Sequence, residues 1–227
     1  EVGVVFTALT LLTGWTGQLS IGQFAFVGIG AMTATALIRE GVGPGPVLLV
    51  AVVVGAAAAV VVGVPSLRLP GVFMAASTLA LGVATSSWVL SRYVFLQGRA
   101  TATFQRLLVG NVSLESQRTY YAVSLLFLAV AMFAMSRLRR TSHGRAFIAV
   151  RSNGPAAQSF GLSPTRTKLT AFAISGGLAG LTGALLAGGL ATVSPQRFSG
   201  AESLHLISIA VIGGLASVPG TVAGAAF

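Results

Sequence analysis

Polar side chains are scarce in this chain, and those whose spacing could do chemistry fall in two stretches. The first, Thr13-Gly-Trp-Thr-Gly-Gln-Leu-Ser-Ile-Gly-Gln23, puts three glycines and five polar side chains into an otherwise apolar run. This pattern predicts a broken or re-entrant element, because backbone outside a helix is tolerated at membrane depth only where protein or a water-filled cavity satisfies it. The half-helix after the break would turn its positive end, near Ser20 to Gly22, towards an anionic group such as a carboxylate. Gln18, Ser20 and Gln23 could then line a polar path. The alternative is a kinked, purely structural helix whose small residues serve packing.

The second stretch, Gly144 to Lys168, divides into two short helical pieces. One breaks at Asn153-Gly154, the next has Pro155 in its first turn, and Gly161 stops it. Pro155 to Phe160 is too short a helix to be stable alone, so it would dock against something. A solvated basic loop that only sets topology is the other reading.

Catalytic chemistry finds little support. His143 and His205 are separated by a whole apolar span, and the chain has no Asp to orient either. The protein is read as no enzyme, and no metal or cofactor site is expected, since Cys is absent as well. Glu202 closely follows Ser194 to Gly200, and a contact with Arg197 outside the bilayer is expected. No phosphate-binding loop exists: the single lysine, Lys168, follows Thr167 rather than Gly. Any ATP that drives this protein must be bound by another chain.

The elements that hold these stretches are set by composition. Of 227 residues, 54% are hydrophobic and 8% charged, against roughly 25% charged in soluble domains. That excludes a soluble enzyme and predicts an all-α, polytopic transmembrane helical bundle forming a single domain over residues 1–227. Uncharged runs long enough to span a bilayer allow five or six crossings. The spans are expected at Val47–Val64, Gly71–Leu90, Thr119–Ser136 and Leu169–Ala191, with a last one from Leu204 broken at Gly213-Gly214 and Pro219-Gly220. The net charge of +10 points to cytoplasmic loops rather than nucleic acid, because Arg and Lys accumulate there. Residues 137–168 hold seven basic and no acidic side chains, whereas residues 91–118 hold four basic and one acidic. The former is therefore expected to be cytoplasmic, together with Arg68, and the latter external, on the side of Arg39-Glu40. Gly176, Gly180, Ala184 and Gly188 form a small-residue stripe that would admit a neighbouring backbone. The chain starts with Glu1 and stops at Phe227 inside an apolar run, which reads as an internal piece of a longer protein lacking both ends.

Five motifs, in order, carry a family resemblance: Gly14-Trp-Thr-Gly-Gln-Leu-Ser-Ile-Gly-Gln-Phe-Ala-Phe-Val-Gly-Ile-Gly-Ala31, Pro65-Ser-Leu-Arg-Leu-Pro-Gly71, Gly144-Arg-Ala146 with Arg151-Ser-Asn153 and Ala156-Ala157 to Gly161, Val193-Ser-Pro195, and Val211-Ile-Gly-Gly-Leu215. Nearly the whole chain resembles the inner-membrane permeases of branched-chain amino-acid ABC importers, the LivM-type subunit. The resemblance implies a permease paired with a second, related permease, two cytosolic ATP-binding subunits and an extracytoplasmic solute-binding protein. Its coupling segment to the ATPase would lie around Ala156, Ala157 and Gly161, with Arg151, Asn153 and Phe160. Gly17, Gln18, Ser20 and Gly22, followed by Gln23, would flank the translocation path. The chain departs from the family at Ser152 and Gln158, where Glu is frequent, and at Val83, where Glu often follows Thr78-Leu-Ala-Leu-Gly82. Related permeases move urea, short amides or other amino acids, and the alternative to this class is an ion-coupled transporter or channel-like protein without ATPase partners.

Overall fold

The computed structural model describes residues 2–18, 20–69, 71–90, 102–103, 108–109, 112–113, 117–190, 192–198, 200–214 and 220. Helix α1 (Val2–Leu9) runs into a π-helical turn, Thr10–Trp15. The chain then passes through a non-helical segment into α2 (Gln23–Arg39). Next come α3 (Pro44–Ser66) and α4 (Gly71–Ala84), the latter with a π-helical tail at Thr85–Val89. Helix α5 (Gln117–Arg140) leads to the short α6 (Ser142–Ser152) and α7 (Gly154–Ser159). The long α8 (Pro164–Leu190), a 3-10 turn at Pro195–Phe198 and α9 (Gly200–Gly213) complete the description.

The only β structure among the described residues is a pair of two-residue ladders. One joins β1 (Ala102–Thr103) to β4 (Thr192–Val193), and the other joins β2 (Leu108–Val109) to β3 (Val112–Ser113), both antiparallel. The β1–β4 pairing ties the 91–118 segment to the chain just beyond α8. Most of that segment, expected to be an external loop, lies outside the described residues, as does the expected break at Pro219.

Helix ends depart from the apolar runs where capping chemistry extends them. Helix α3 starts at Pro44 rather than Val47, since extended Gly43 precedes a proline that fits the first turn. Helix α8 begins before its apolar run because the Ser163 hydroxyl accepts from the Arg166 N–H at 3.5 Å. Helix α5 continues past Ser136 through Arg137, Arg139 and Arg140, whose charges complement the negative end of a helix. Pro44–Ser66, Arg118–Arg140 and Pro164–Leu190 are long and apolar enough to cross a membrane, and the other apolar helices are shorter.

Helix α8 sits at the centre, antiparallel to α3 and crossing α2. Glycine makes this possible, because the helices meet backbone to backbone. A Cβ on Gly55 would lie 2.5 Å from the Gly176 carbonyl oxygen, and one on Gly180 would collide with the Ala51 carbonyl. Along α3 the inward positions are Val47, Ala51, Gly55, Ala59 and Gly63, while Leu49, Val53 and Val61 are 69%, 65% and 71% exposed. Small residues inside and large apolar ones outside reverse the pattern of a water-soluble helix and suit a lipid surrounding.

The stripe on α8 serves two neighbours. Gly176 and Gly180 abut α3, and Ala184 is buried. Gly188 does not receive a backbone: the Tyr120 hydroxyl of α5 would stand 2.7 Å from a Cβ there. Gly183, outside the expected stripe, receives the α2 backbone at Val27 and Ala31 instead.

A buried break beside the basic loop

The break follows directly from the glycines. Gly17 has a φ of +69°, in the left-handed region, so it ends the first half-helix as a glycine cap does. The Thr16 N–H donates to the Leu11 carbonyl at 3.2 Å and the Gln18 N–H to the Leu12 carbonyl at 3.0 Å, closing that end. Gly22 precedes α2 and has no room for a side chain, since a Cβ there would run into the Thr78 carbonyl of α4.

Hydroxyls from other helices satisfy N–H groups of the break and of the first turn of α2. Ile21 N–H donates to Thr78 Oγ1 at 3.1 Å, and Phe24 N–H donates to Ser203 Oγ of α9 at 3.1 Å. Gln23 Nε2 donates to Ser175 Oγ at 2.9 Å, and Ser175 Oγ donates to the Ala8 carbonyl at 3.1 Å. One serine of α8 thus joins both halves of the broken element. Gln23 is turned to this helix contact, although its Oε1 has no protein partner.

Gln18 and Ser20 differ from Gln23. Gln18 is 3% exposed with neither its Nε2 nor its Oε1 bonded, and Ser20 is fully buried with a free Oγ. A buried polar group left unpaired costs about 1–3 kcal/mol, so these side chains demand a polar partner from outside the chain.

The second predicted stretch lies against the first. Arg151, at the end of α6, donates to the Gly14 carbonyl, and its stem packs on Gly17, 3.1 Å from where a Cβ would be. Gly14 lies in the last turn of its half-helix, where carbonyls lack intrahelical partners and a cation is favoured. Arg139 of α5 places its guanidinium 5.9 Å from the centre of the Trp15 ring. Two arginines of the basic loop therefore close the end of the first half-helix. Arg151, expected at a contact with a partner chain, makes its bond within this one.

Asn153 forms the hinge between α6 and α7. It ends the first and caps the second, its side chain accepting from the Ala156 N–H at 3.1 Å. Gly161 has a φ of +80° and ends α7. Ala157 is buried, while Ala156 and Phe160 face outward, Phe160 at 87% exposure. Arg68 and Lys168 lie at the same end of the bundle, lining one cavity with Gly17 and Gln18. His205 and Glu202 are exposed on α9, and no ion pair joins Glu202 to Arg197 among the described residues, contrary to expectation.

Sequence reading missed Thr78, Gly82, Ser175 and Ser203. For the first two a signal existed: Thr78 and Gly82 are four residues apart, hence on one face of α4, and both meet Gly22. Single serines in apolar helices offer no such pattern.

Apolar helices packed through glycine, an outward face of large aliphatic side chains and a polar break held by hydroxyls define a polytopic membrane protein with a broken helix, a class that includes many transporters. The chain belongs to the family described as branched-chain amino acid transport system / permease component, whose model matches residues 4–227. It is 34% identical to the high-affinity branched-chain amino acid transport system permease protein LivM of Salmonella typhimurium, over 92% of this chain and 55% of that protein. The Escherichia coli LivM protein matches with the same identity and coverage. An autoinducer 2 import system permease protein, LsrC of Enterobacter sp., is 29% identical over 94% of this chain and 60% of its own length. The chain thus spans little more than half the length of these curated relatives. No solved structure matches it.

Proposed function

We propose that this chain is a permease subunit of an ATP-driven importer that moves branched-chain or related amino acids across the cytoplasmic (inner) membrane. Its partners in this reading are a second, related permease, two cytosolic ATP-binding subunits and an extracytoplasmic solute-binding protein. The bond from Arg151 to the Gly14 carbonyl carries the proposal, because it links the segment that would meet an ATPase to the break that would flank the path.

The basic end, with residues 137–168, faces the cytoplasm. There α7 presents Phe160 and Ala156 to the ATPase and is hung on the Asn153 hinge. ATP binding draws the two ATPases together and pushes α7. Helix α6 passes the movement through Arg151 to the end of the first half-helix. The glycine-packed core of α2, α3 and α8 has no slack to deform, so the break yields first. Gly17, Gln18, Ser20 and Gly22 then change their exposure to the path. Gln23 stays on Ser175 and acts as the fixed point.

The test places a charge on each exposed coupling position, Ala156→Asp and Phe160→Asp, in the assembled transporter. ATP-dependent uptake of leucine should fall to background while membrane insertion and subunit assembly persist. Undiminished uptake, or uptake driven by an ion gradient without ATPases, overturns the proposal.

A further inference from the structure

The end of the bundle where α3 closes and α8 begins holds a cavity of about 410 Å³. Arg68 and Lys168 line it, and among the described residues no carboxylate lines it or pairs with either cation. The four glutamates of the chain, at positions 1, 40, 115 and 202, all lie outside the segments 13–23, 44–90 and 137–190 that build this end. Two cations sharing one cavity without a counterion repel each other, so the ligand it favours is an anion. Leu67, Leu69 and Met74 give the same cavity an apolar wall. On α3, Val53, Ala57, Val61 and Val64 are exposed at helical spacing, and Arg68 follows four residues on in the closing turn, its N–H donating to the Pro65 carbonyl at 3.1 Å. At 1.5 Å per residue this aliphatic stripe runs about 22 Å up to the cation, more than the roughly 15 Å of hydrocarbon in one leaflet.

We propose that this cavity binds the headgroup of an anionic phospholipid from the cytoplasmic leaflet. Arg68 and Lys168 hold the phosphate, Leu67, Leu69 and Met74 cover the glycerol and the start of the acyl chains, and one chain lies along Val64, Val61 and Ala57. Basic pockets between helices at the cytoplasmic face suit such headgroups. The bound lipid ties the turn between α3 and α4 to the start of α8, beside the break, since Gly17 lines the same cavity. The inference goes beyond the import reading and shares with it only the orientation that turns this end to the cytoplasm. A soluble anion would need the two cations alone; the apolar wall and the aliphatic stripe leading to Arg68 are what a lipid requires in addition. The ATPase contact proposed above falls on α7, which contributes no residue to this cavity among those described.

The experiment titrates palmitoyl-oleoyl phosphatidylglycerol, and phosphatidylcholine with the same chains, onto the assembled transporter in detergent and counts bound lipid by native mass spectrometry. Phosphatidylglycerol should bind at least about fivefold more tightly than phosphatidylcholine, and Arg68→Gln with Lys168→Gln should weaken it at least about tenfold. Arg68→Lys with Lys168→Arg keeps both charges and should retain binding within about threefold. Arg166→Gln removes an exposed charge at the same end that does not line the cavity, and should leave binding unchanged. Equal binding of the two lipids, or a preference indifferent to the glutamine pair, overturns the site. An equal loss in Arg166→Gln shows a diffuse basic surface, and glycerophosphoglycerol or inorganic phosphate competing as well as the lipid shows a bare anion site; either overturns it too. A preference seen only after the ATP-binding subunits are stripped away shows that a protein occupies the cavity, which also overturns it. ATP-driven leucine uptake by the unaltered transporter tests the import reading separately, because lipid binding is read without transport.

Discussion

Arg151→Met removes the guanidinium that caps the first half-helix but keeps much of the aliphatic stem lying on Gly17. A hydrogen bond to a charged donor contributes about 1.5–3 kcal/mol net. Arg151 is an exposed residue, and solvent screening puts the loss at about 1–1.5 kcal/mol, a roughly five- to tenfold shift in the opening of that helix end. The amides that report it are those of Thr16 and Gln18, bonded to the Leu11 and Leu12 carbonyls. Hydrogen exchange on the assembled transporter should show them exchanging roughly five- to tenfold faster, with more ATP consumed per leucine imported. Arg139→Met, which loses only the contact over Trp15, should have a smaller effect, worth about 0.5–1 kcal/mol. Gly17→Ala perturbs the same junction from the other side, because an alanine at positive φ costs about 1–2 kcal/mol and crowds the Arg151 stem. Combined with Arg151→Ala, which removes that stem, the two changes should cost less than their sum. Unchanged exchange at Thr16 and Gln18 together with an unchanged ATP cost in Arg151→Met would refute the view that this arginine connects loop and break.

The helix contacts give three further expectations. Gly183→Ala and Gly180→Ala should each lower the thermal stability of the solubilised protein by about 1–3 kcal/mol, because their Cβ atoms meet backbone that cannot yield, and Gly43→Ala, with open space around it, should not. Ser175→Ala breaks the side-chain link between the two halves of the broken element; thermal unfolding should reveal a loss of about 1–2 kcal/mol, since Gln23 Nε2 keeps only its longer bond to the residue 175 backbone carbonyl at 3.3 Å. Val53→Trp on the exposed side of α3 should be tolerated and Ala51→Trp on its buried side should abolish folded yield, a contrast read by size-exclusion profiles. Equal behaviour of the last pair would mean that α3 is oriented otherwise.

The amino-acid sequence by itself determined the features that depend on local backbone and on hydropathy. The scarcity of charge dictated an apolar helical bundle. Gly17 and Gly22 marked the break, and Asn153, Pro155 and Gly161 marked the two short helices, because caps and left-handed turns depend on a few consecutive residues. Helix ends were less legible, as with Pro44 and Ser163, since capping extends a helix past its apolar run. The tertiary structure alone decided which partner each feature meets. Arg151 is 137 positions from Gly14, and Ser175 is 152 from Gln23; no periodicity in an apolar helix encodes such a pairing. The small-residue stripe shows the same division: its existence on α8 was written in the spacing, but which glycine faces α3, α2 or Tyr120 depended on how three helices cross. Gln18 is the sharpest case, a polar residue visible in the sequence whose burial without a hydrogen-bond partner only the fold decides.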